Sequence, residues 1–258
     1  MLTNNKIKLI KSLDRKKSRT ESGCFLVEGE KMVRELLQSR FETVEVFAVQ
    51  PYIDELPAPL RRKAEITVVG ERDLERISFL KTPNKAVALV KLPDNQNIDS
   101  ADLTGLNIAL DNVQDPGNLG TIIRTAAWFG IRNVFCSPDT VDVYNPKVVQ
   151  STMGAIFKVN VTYCNLTELA SAARKANVQL FGTRLDGENL YQTNLPENAI
   201  VVMGNESKGL SPEISALMDS NLKIPSYAPP TSDMESLNVA VATAIVCAEF
   251  RRRMGMKG

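Results

Sequence analysis

Short apolar runs alternate with segments of helical periodicity along most of the 258-residue chain. The predicted strands of the first third span residues 24–29, 44–49, 66–69 and 86–90, and the predicted helices 31–38 and 72–79. These elements form a small α/β unit. The polar segment that follows is rich in Pro, Asn and Asp, which favours a linker.

A stronger alternation begins after this linker. The predicted strands are 106–110, 133–136, 157–161, 179–183, 199–203 and 222–224, and the predicted helices are 119–129, 166–176, 212–218 and 237–253. Several of these strands are near-continuous apolar runs, which is typical of parallel strands buried on both faces. We therefore predict an α/β protein with a first domain over 1–92, a linker over 93–104 and a parallel-sheet domain over 105–258.

The charge of the whole chain does not indicate a nucleic-acid binder, because 31 Lys and Arg residues stand against 30 Asp and Glu residues. The basic residues are nevertheless clustered, between Lys6 and Arg19 and again at Arg251 to Arg253, and either cluster could contact phosphates. The chain has no histidine, which excludes His-dependent triads and most zinc sites. No acidic cluster has a metal-loop spacing, so we expect no metal ion.

The cysteines and the apolar runs indicate the compartment. The four cysteines form neither a CxxC pair nor an even framework, which is typical of a reducing environment. The N-terminus is too polar for a signal peptide, and no apolar run is long enough to span a bilayer. We therefore expect a cytoplasmic protein that has no association with a membrane.

Three loops that follow predicted strands are rich in Gly, Asn and Ser, and ligands of open α/β sheets bind beyond the carboxyl ends of strands. In the first loop, Asn118 is placed to cap the next helix, and a role in a site is an equal alternative. Arg124 lies in that helix among apolar residues, on one face with Thr121 and Trp128. Because a buried, unpaired guanidinium is costly, we expect Arg124 to point into a polar pocket rather than extend into solvent.

The second loop, from Gly204 to Gly209, has the glycine separation of a phosphate-binding Walker loop but not its sequence. Its lysine, Lys208, precedes the second glycine instead of following it, which excludes that motif. Glu206 comes soon after a buried strand. It is either a solvated loop carboxylate or a residue of a functional site.

The third loop follows the strand 222–224 and leads into a helix rich in small residues. Ser236 is the predicted N-cap of this helix, and Asn238 is expected in its first turn, where free N–H groups also attract anions. The chain has no GxGxxG, so neither a dinucleotide fold nor the usual Rossmann methyltransferase motif is supported.

Together the three loops resemble the signature motifs of the SpoU/TrmH branch of the SPOUT RNA 2′-O-ribose methyltransferases. The matching residues are Asn118, Gly120 and Arg124, then Gly204, Asn205, Glu206, Gly209 and Leu210, then Ile224, Pro225 and Ser236 to Ala240. Each motif alone is weakly specific, whereas three in this order are specific. Residues 25–29 resemble the family's N-terminal substrate-binding domain. Gln150 stands where relatives typically carry an arginine. Whether this position contacts RNA or a second subunit is therefore an open question.

The resemblance implies a fold, a cofactor and partners. The C-terminal domain would be a SPOUT domain, a parallel sheet with a trefoil knot, preceded by a small ribosomal-protein-like α/β domain. It would bind S-adenosylmethionine (SAM) and form a homodimer. The implied SAM-binding residues are Gly182, Thr183, Gly204, Asn205, Gly209, Ile224, Ser236 and Leu237. The implied catalytic residues are Arg124, Asn118, Glu206, Ser236 and Asn238. The implied partner is RNA, with rRNA favoured over tRNA by the separate N-terminal domain.

Methylation of a ribose 2′-hydroxyl requires alignment of the hydroxyl and help with proton loss. The family's proposed base matches Arg124, yet an arginine stays protonated. An RNA phosphate held by Arg124 is the alternative proton acceptor. Two other functions stay open, a tRNA 2′-O-methyltransferase and a non-catalytic RNA-binding or ribosome-assembly protein, although a binder has no need of the whole residue set.

Overall fold

The computed structural model describes residues 2–94, 103–229 and 236–255. The chain forms two compact units. The first consists of Met1–Asp94 together with Asp142–Lys158, and the second of Asn95–Val141 together with Val159–Gly258.

The first unit has a four-stranded mixed sheet in the order β1-β4-β2-β3. Its strands are β1 (Cys24–Glu28), β2 (Thr43–Ala48), β3 (Glu65–Val68) and β4 (Ala86–Lys91). Strand β4 is antiparallel to β1 and to β2, and β2 is parallel to β3. The helices are α1 (Asn4–Ser12), α2 (Lys16–Ser22), α3 (Glu30–Gln38), α4 (Gln50–Glu55), α5 (Ala58–Arg61), α6 (Glu71–Ile77) and, from the later segment, α8 (Pro146–Ser151).

Apolar side chains of α1 and α6 cover one face of this sheet. Ile10 from α1 and Leu74 and Ile77 from α6 pack in one cluster with Phe47 and Leu89 of the sheet. The four strands and the helices α3 and α6 of this unit are confirmed close to their predicted positions. The short helices α4, α5 and α8 carry too few turns to show a period, and the sequence did not predict them.

The segment Asp142–Lys158 departs from the predicted domain division, which placed it in the second domain. In the structure, the ring of Tyr144 lies 4.7 Å from that of Phe25, and Asp142 accepts hydrogen bonds from Nε and Nη2 of the buried Arg19. These contacts join residues more than 100 positions apart, which local periodicity does not reveal. The predicted strand 157–161 is also wrong at its start, because Ala155–Phe157 form a 3-10 turn.

The second unit has a six-stranded sheet in the order β10-β8-β9-β5-β6-β7, with every neighbouring pair parallel, as predicted. The strands are β5 (Leu106–Leu110), β6 (Asn133–Cys136), β7 (Asn160–Tyr163), β8 (Gln179–Asn189), β9 (Ala199–Met203) and β10 (Ser220–Lys223). The helices are α7 (Pro116–Trp128), α9 (Leu166–Lys175), α10 (Pro212–Ser215) and α11 (Val239–Gly255). Every residue of the neighbouring strands β5 and β9 is buried, which explains why β9 is entirely apolar and β5 is apolar except for Asn107.

Helices cover the second sheet. Leu169 of α9 and Ile214 of α10 pack in one cluster with Ile200 and Val202 of β9. Helix α11 packs against α7 and reaches the sheet through Phe250. None of the helices in the described ranges is long and apolar enough to cross a membrane.

The C-terminal arginines, for which the sequence left phosphate contacts open, bind acceptors within the second unit. Arg251 donates to a carbonyl just after α7 at 2.7 Å, and Arg253 donates to the carbonyl of Thr193 at 2.6 Å. Arg252 and Arg253 both pair with the buried Glu249, and the hydrogen bond from Arg252 is the main cause that lowers the pKa of Glu249 to about 2. This cluster stabilises the end of α11.

The N-terminal basic cluster is only partly free. Lys6 pairs with Glu45 at 2.7 Å, Lys11 donates to a backbone carbonyl at 2.5 Å, and Arg19 is buried. Lys8 of α1 and Lys16 at the start of α2 are exposed.

Candidate functional site

The carboxyl edge of the second unit's sheet holds a cavity of about 490 Å³. The middle of β8, the ends of β9 and β10, the turn after β9 and the start of α11 form its walls. Its volume lies within the range of sites for small molecules and cofactors. Of the predicted SAM-binding residues, those that line the cavity are Thr183, Gly204, Asn205, Gly209, Ile224, Ser236 and Leu237.

Gly182 does not line the cavity, unlike the other predicted SAM-binding residues. A Cβ atom at Gly182 would lie 2.5 Å from Oδ1 of Asn221 and 2.8 Å from a methyl group of Leu210. Glycine is therefore needed here for close packing, and a cofactor contact at Gly182 stays a prediction.

The turn after β9 is tight because two glycines meet across it. A Cβ atom at Gly204 would lie 2.2 Å from the carbonyl carbon of Gly209, which no side chain can tolerate. Gly209 itself has φ of +67°, in the left-handed region that favours glycine. Two backbone hydrogen bonds of 2.9 and 3.0 Å join Asn205 to Gly209 and close the turn.

The side chain of Asn205 fixes this turn to its surroundings. Its Oδ1 accepts hydrogen bonds from the backbone N–H groups of Ser207 and Lys208 at 3.0 and 3.1 Å. Its Nδ2 donates to the carbonyl of Asn112, in the first loop, at 2.7 Å. Asn205 therefore acts on the shape of the cavity wall through the backbone.

Glu206 joins the second loop to the first loop. Its Oε1 accepts from the backbone N–H of Asp115 and from Nδ2 of Asn118, both at 3.1 Å. Its Oε2 accepts from the N–H of Gln114 at 3.3 Å and from Nδ2 of Asn205 at 3.4 Å. Four donors thus use the acceptor capacity of one carboxylate. Glu206 is a bound carboxylate rather than a solvated loop residue.

These donors also decide the protonation of Glu206. Partial burial alone would raise its pKa, but the hydrogen bonds from Asn118 and from backbone N–H groups outweigh burial, and the pKa is lowered. Glu206 is therefore ionised at neutral pH.

Asn118 links Glu206 to the third loop. Its Nδ2 donates to Glu206, and its Oδ1 accepts a hydrogen bond from Nδ2 of Asn238 at 2.9 Å. Neither Asn118 nor Ser236 caps its helix, so the capping alternative is excluded for both. Asp115 caps α7 by accepting from the N–H of Asn118 at 2.8 Å, and Asn238 caps α11 by accepting from the N–H of Ala240 at 2.9 Å.

The corrected caps have a physical explanation. Pro116 occupies the first position of α7, so the cap is the residue before it, Asp115. Asn118 therefore lies in the first turn of the helix, and its side chain is free for the site. The exposed Ser236 lies before the helix start and lines the cavity instead of capping.

Arg124 does not point into a polar pocket of its own chain, and that prediction is wrong. The helical period places Arg124 with Thr121 and Trp128 correctly, but this face of α7 is exposed, and the side chain of Trp128 is 86% exposed. The opposite face, with Leu119, Ile122 and others, fills the core. The guanidinium avoids the cost of burial by extending into solvent.

Three residues of the first loop were missing from the predicted site. Asp111 follows β5, is buried, and accepts from the N–H of Ser211 at 2.7 Å. Gln114 and Asp115 supply the backbone donors of Glu206. A polar residue directly after a buried parallel strand was the signal for Asp111, whereas backbone donors leave no signal in a sequence.

Among the residues that the structure describes, no group of three or more Cys, Asp and Glu side chains is arranged to hold a metal ion.

Comparison with known proteins identifies two family domains. The profile of the SpoU rRNA Methylase family matches residues 105–248, and that of the MRM3-like substrate binding domain matches residues 4–88. The chain is 32% identical to the 23S rRNA (guanosine(2553)-2′-O)-methyltransferase RlmP of Bacillus subtilis, over 96% of each chain.

Solved structures agree with this. A putative RNA methyltransferase of the TrmH family from Porphyromonas gingivalis is 40% identical and superposes with a TM-score of 0.88, over 98% of this chain and 99% of the other. An AdoMet-bound rRNA methyltransferase from Sinorhizobium meliloti is 29% identical, with a TM-score of 0.86, over 98% and 97%.

These matches confirm the recognition made from the three loops, and with it the fold class, the enzyme class and SAM as the cofactor. The chain belongs to the SpoU rRNA methylase family, whose chemistry is SAM-dependent methyl transfer to RNA.

Proposed function

We propose that this protein methylates the 2′-hydroxyl of a guanosine in 23S rRNA, with SAM as methyl donor. The observation that carries the proposal is the bound carboxylate of Glu206, which joins all three signature loops beside the cavity. The choice of 23S rRNA and of guanosine rests on the relative from Bacillus subtilis, which matches this chain over nearly its full length.

The cavity residues fit SAM. Gly204 lets the backbone of Gly209 approach closely, which fixes the tight turn that forms one wall of the cavity. Thr183, Ile224 and Leu237 supply a mixed polar and apolar wall for the adenosine. When bound there, SAM supplies a methyl group activated by its sulfonium.

The chain's own residues orient the acceptor. Both ends of the Asn118 amide are held, by Glu206 and by Asn238, so this side chain is pre-organised in the first turn of α7. We infer that Asn118 and Asn238 position the ribose, and that Glu206 and Ser236 shape the pocket. Glu206 is a positioning residue and not the base, since its acceptor sites are already filled.

Arg124 would hold the RNA. As the methyl group is transferred, the ribose oxygen loses its affinity for its proton, so that even a weak acceptor suffices. We infer that a phosphate oxygen of the RNA, bound by Arg124, receives this proton, because a guanidinium remains protonated throughout. The exposure of Arg124 permits such a contact.

The exposed face of α7 supports a homodimer. Trp128 is 86% exposed, and Leu237 and Val241, at the start of the neighbouring α11, are 45% and 50% exposed. A second copy of the chain would cover these apolar side chains and would turn the open surface around Arg124 into a pocket. The family resemblance supports the same proposal, together with the trefoil knot, a mechanism without metal and a cytoplasmic location.

Two alternatives remain distinct from this proposal. A tRNA target would need the same cofactor cavity. The structure of a protein described by 2′-OH methylation of C/U34 on tRNA is 26% identical to this chain and matches only 59% of it. The MRM3-like domain over residues 4–88 therefore favours rRNA. A non-catalytic RNA-binding protein would have no reason to hold Glu206, Asn118 and Asn238 in one hydrogen-bonded chain.

The test is methyl transfer from labelled SAM to unmodified 23S rRNA and to unmodified tRNA, followed by nucleoside mass spectrometry. We expect 2′-O-methylguanosine in the 23S rRNA. We also expect Arg124→Ala to abolish turnover while SAM affinity stays nearly unchanged, with Arg132→Ala, at the opposite edge of the sheet, as the control. An active Arg124→Ala protein, or methylation of a base, would overturn the mechanism.

A further inference from the structure

Among the residues that the structure describes, the charged side chains around the cavity do not balance. Five of these described residues line it, Arg184, Asp186, Glu206, Lys208 and Lys223. Arg184 and Asp186 pair through two hydrogen bonds of 2.8 and 3.0 Å. Glu206 is held by donors of the first two loops, none of which is a lysine. Two lysines are therefore left to compare.

The two lysines have different surroundings. Lys223 is half-buried at the end of β10. The pKa of Asp186 is lowered mainly by the hydrogen bond from Arg184, and the charge of Lys223 adds to this, so Lys223 already faces an acid. Lys208 is exposed, and within the described ranges no hydrogen bond or ion pair involves its side chain. Lys208 is the surplus cation of the cavity rim.

The backbone presents Lys208 in a fixed position. Its N–H donates to Oδ1 of Asn205, and the turn that carries it is closed by the hydrogen bonds between Asn205 and Gly209. The close approach of Gly204 to Gly209 prevents the turn from shifting. The turn therefore fixes the backbone of Lys208 at the mouth of the cavity, from which its flexible side chain can reach an anion at the rim.

We propose that Lys208 binds a phosphate of the RNA backbone next to the target ribose, an inference that rests on the proposed function. A ribose within an RNA chain has phosphates on both sides, and contacts to phosphates set the position of a nucleic acid without reading its sequence. An exposed ammonium group gains little from the single carboxylate of SAM, because solvent and salt screen the pair. It gains more from a polyanion, which releases counterions on binding.

Lys208 is therefore a substrate-positioning residue that acts before chemistry. It would hold the RNA backbone on the rim formed by the second loop, while Asn118 and Asn238 contact the ribose. The contact is electrostatic and does not depend on the base. Its loss should weaken the binding of all RNA sequences equally.

The experiment compares Lys208→Gln, Lys208→Arg and the control Lys175→Gln. Lys175 is an exposed lysine at the end of α9, at the opposite edge of the same sheet, and its substitution removes the same charge. Binding of in vitro transcribed 23S rRNA is measured between 50 and 300 mM KCl, and SAM affinity is measured by calorimetry without RNA.

We expect Lys208→Gln to weaken RNA binding about three- to tenfold at low salt and to reduce the slope of log K against log salt by about 1. Lys208→Arg should restore both quantities, and SAM affinity should not change in any variant. Equal behaviour of Lys208→Gln and Lys175→Gln, or a loss confined to SAM affinity, would overturn the inference. A wild-type protein that methylates no RNA would instead overturn the proposed function.

Discussion

Two carboxylates at strand ends, one in each unit, show how the same residue type serves different purposes. Glu28 is the last residue of β1, is buried, and accepts from the hydroxyl of Ser78 and the N–H of Phe79. Glu206 follows β9, is half-buried, and accepts from four donors. Burial raises the pKa of Glu28 more than its hydrogen bonds lower it, whereas for Glu206 the hydrogen bonds outweigh burial.

The comparison shows that the balance between hydrogen-bond donors and burial decides whether the pKa of a carboxyl group is lowered or raised. Glu28 anchors the loop at Ser78 and Phe79 to the first sheet, so its effect is on stability. Glu206 anchors two loops and the amide of Asn118 beside the cavity, so its effect is on function. The predictions below test this division, from the largest expected effect to the smallest.

The largest difference should appear in methyl transfer. Glu206→Ala releases Asn118 and the backbone of the first loop, and we expect kcat/KM to fall by roughly 10²- to 10³-fold, as for other losses of a pre-organising group. Glu28→Ala should keep activity within about threefold per folded molecule. Both are measured with labelled SAM and 23S rRNA at a temperature where each variant is folded. Equal losses in the two variants would abolish the distinction.

Thermal stability should show the reverse order. Glu28→Ala leaves the buried hydroxyl of Ser78 and the N–H of Phe79 without their acceptor, which costs about 2 kcal/mol. The donors of Glu206 lie near solvent, so Glu206→Ala should cost less than about 1 kcal/mol. Scanning calorimetry, which can resolve the two units, provides the measurement. A Tm lowered more by Glu206→Ala than by Glu28→Ala contradicts the division.

The dependence of stability on pH should have opposite signs for the two residues. The folded-state pKa of Glu28 is raised above 4.5, so its contribution is fully present below pH 4.5 and is lost as the pH rises through the folded value. The folded-state pKa of Glu206 is lowered below 4.5. Its contribution to stability is therefore present above pH 4.5 and is lost as the pH falls through the folded-state pKa.

Unfolding between pH 3 and 7 therefore separates the two. Relative to wild type, Glu28→Gln should gain stability as the pH rises, and Glu206→Gln should lose it. Variants whose stability changes with pH in the same direction would show that burial and hydrogen bonding have been assigned to the wrong residues.

The smallest expected effects are on the two pKa values themselves. Ser78→Ala removes a hydrogen bond that lowers the pKa of Glu28, and Asn118→Ala removes one that lowers the pKa of Glu206. Both pKa values should rise, as measured by carbon-13 NMR of the labelled carboxyl groups. An unchanged pKa in either variant would show that this side-chain donor is not used in solution.

The sequence predicted the strands well because parallel and buried strands leave apolar runs, as in β9. It placed Glu206, Asn118 and Asn238 together through the order of three motifs, and the structure joins them by hydrogen bonds. The two caps were misassigned because Asp115 and Asn118 are both good capping residues, and only the backbone decides between them.

Other parts of the structure depend on contacts that no local pattern contains. Arg124 was placed on the correct face of α7, but whether that face meets solvent or protein depends on tertiary and quaternary packing. The sequence did not reveal the partners of the C-terminal arginines, because the carbonyls that accept from Arg251 and Arg253 lie about 120 and 60 residues earlier in the chain, respectively.

The discontinuous first unit has a consequence for the order of synthesis. The ribosome completes residues 2–94 well before it reaches Asp142, and until then the guanidinium of Arg19 lacks the acid that it pairs with in the folded protein. Phe25 also waits for the ring of Tyr144. The nascent first unit therefore cannot reach its final packing until the first segment of the second unit, Asn95–Val141, has also been translated, although the first unit comes first in the chain.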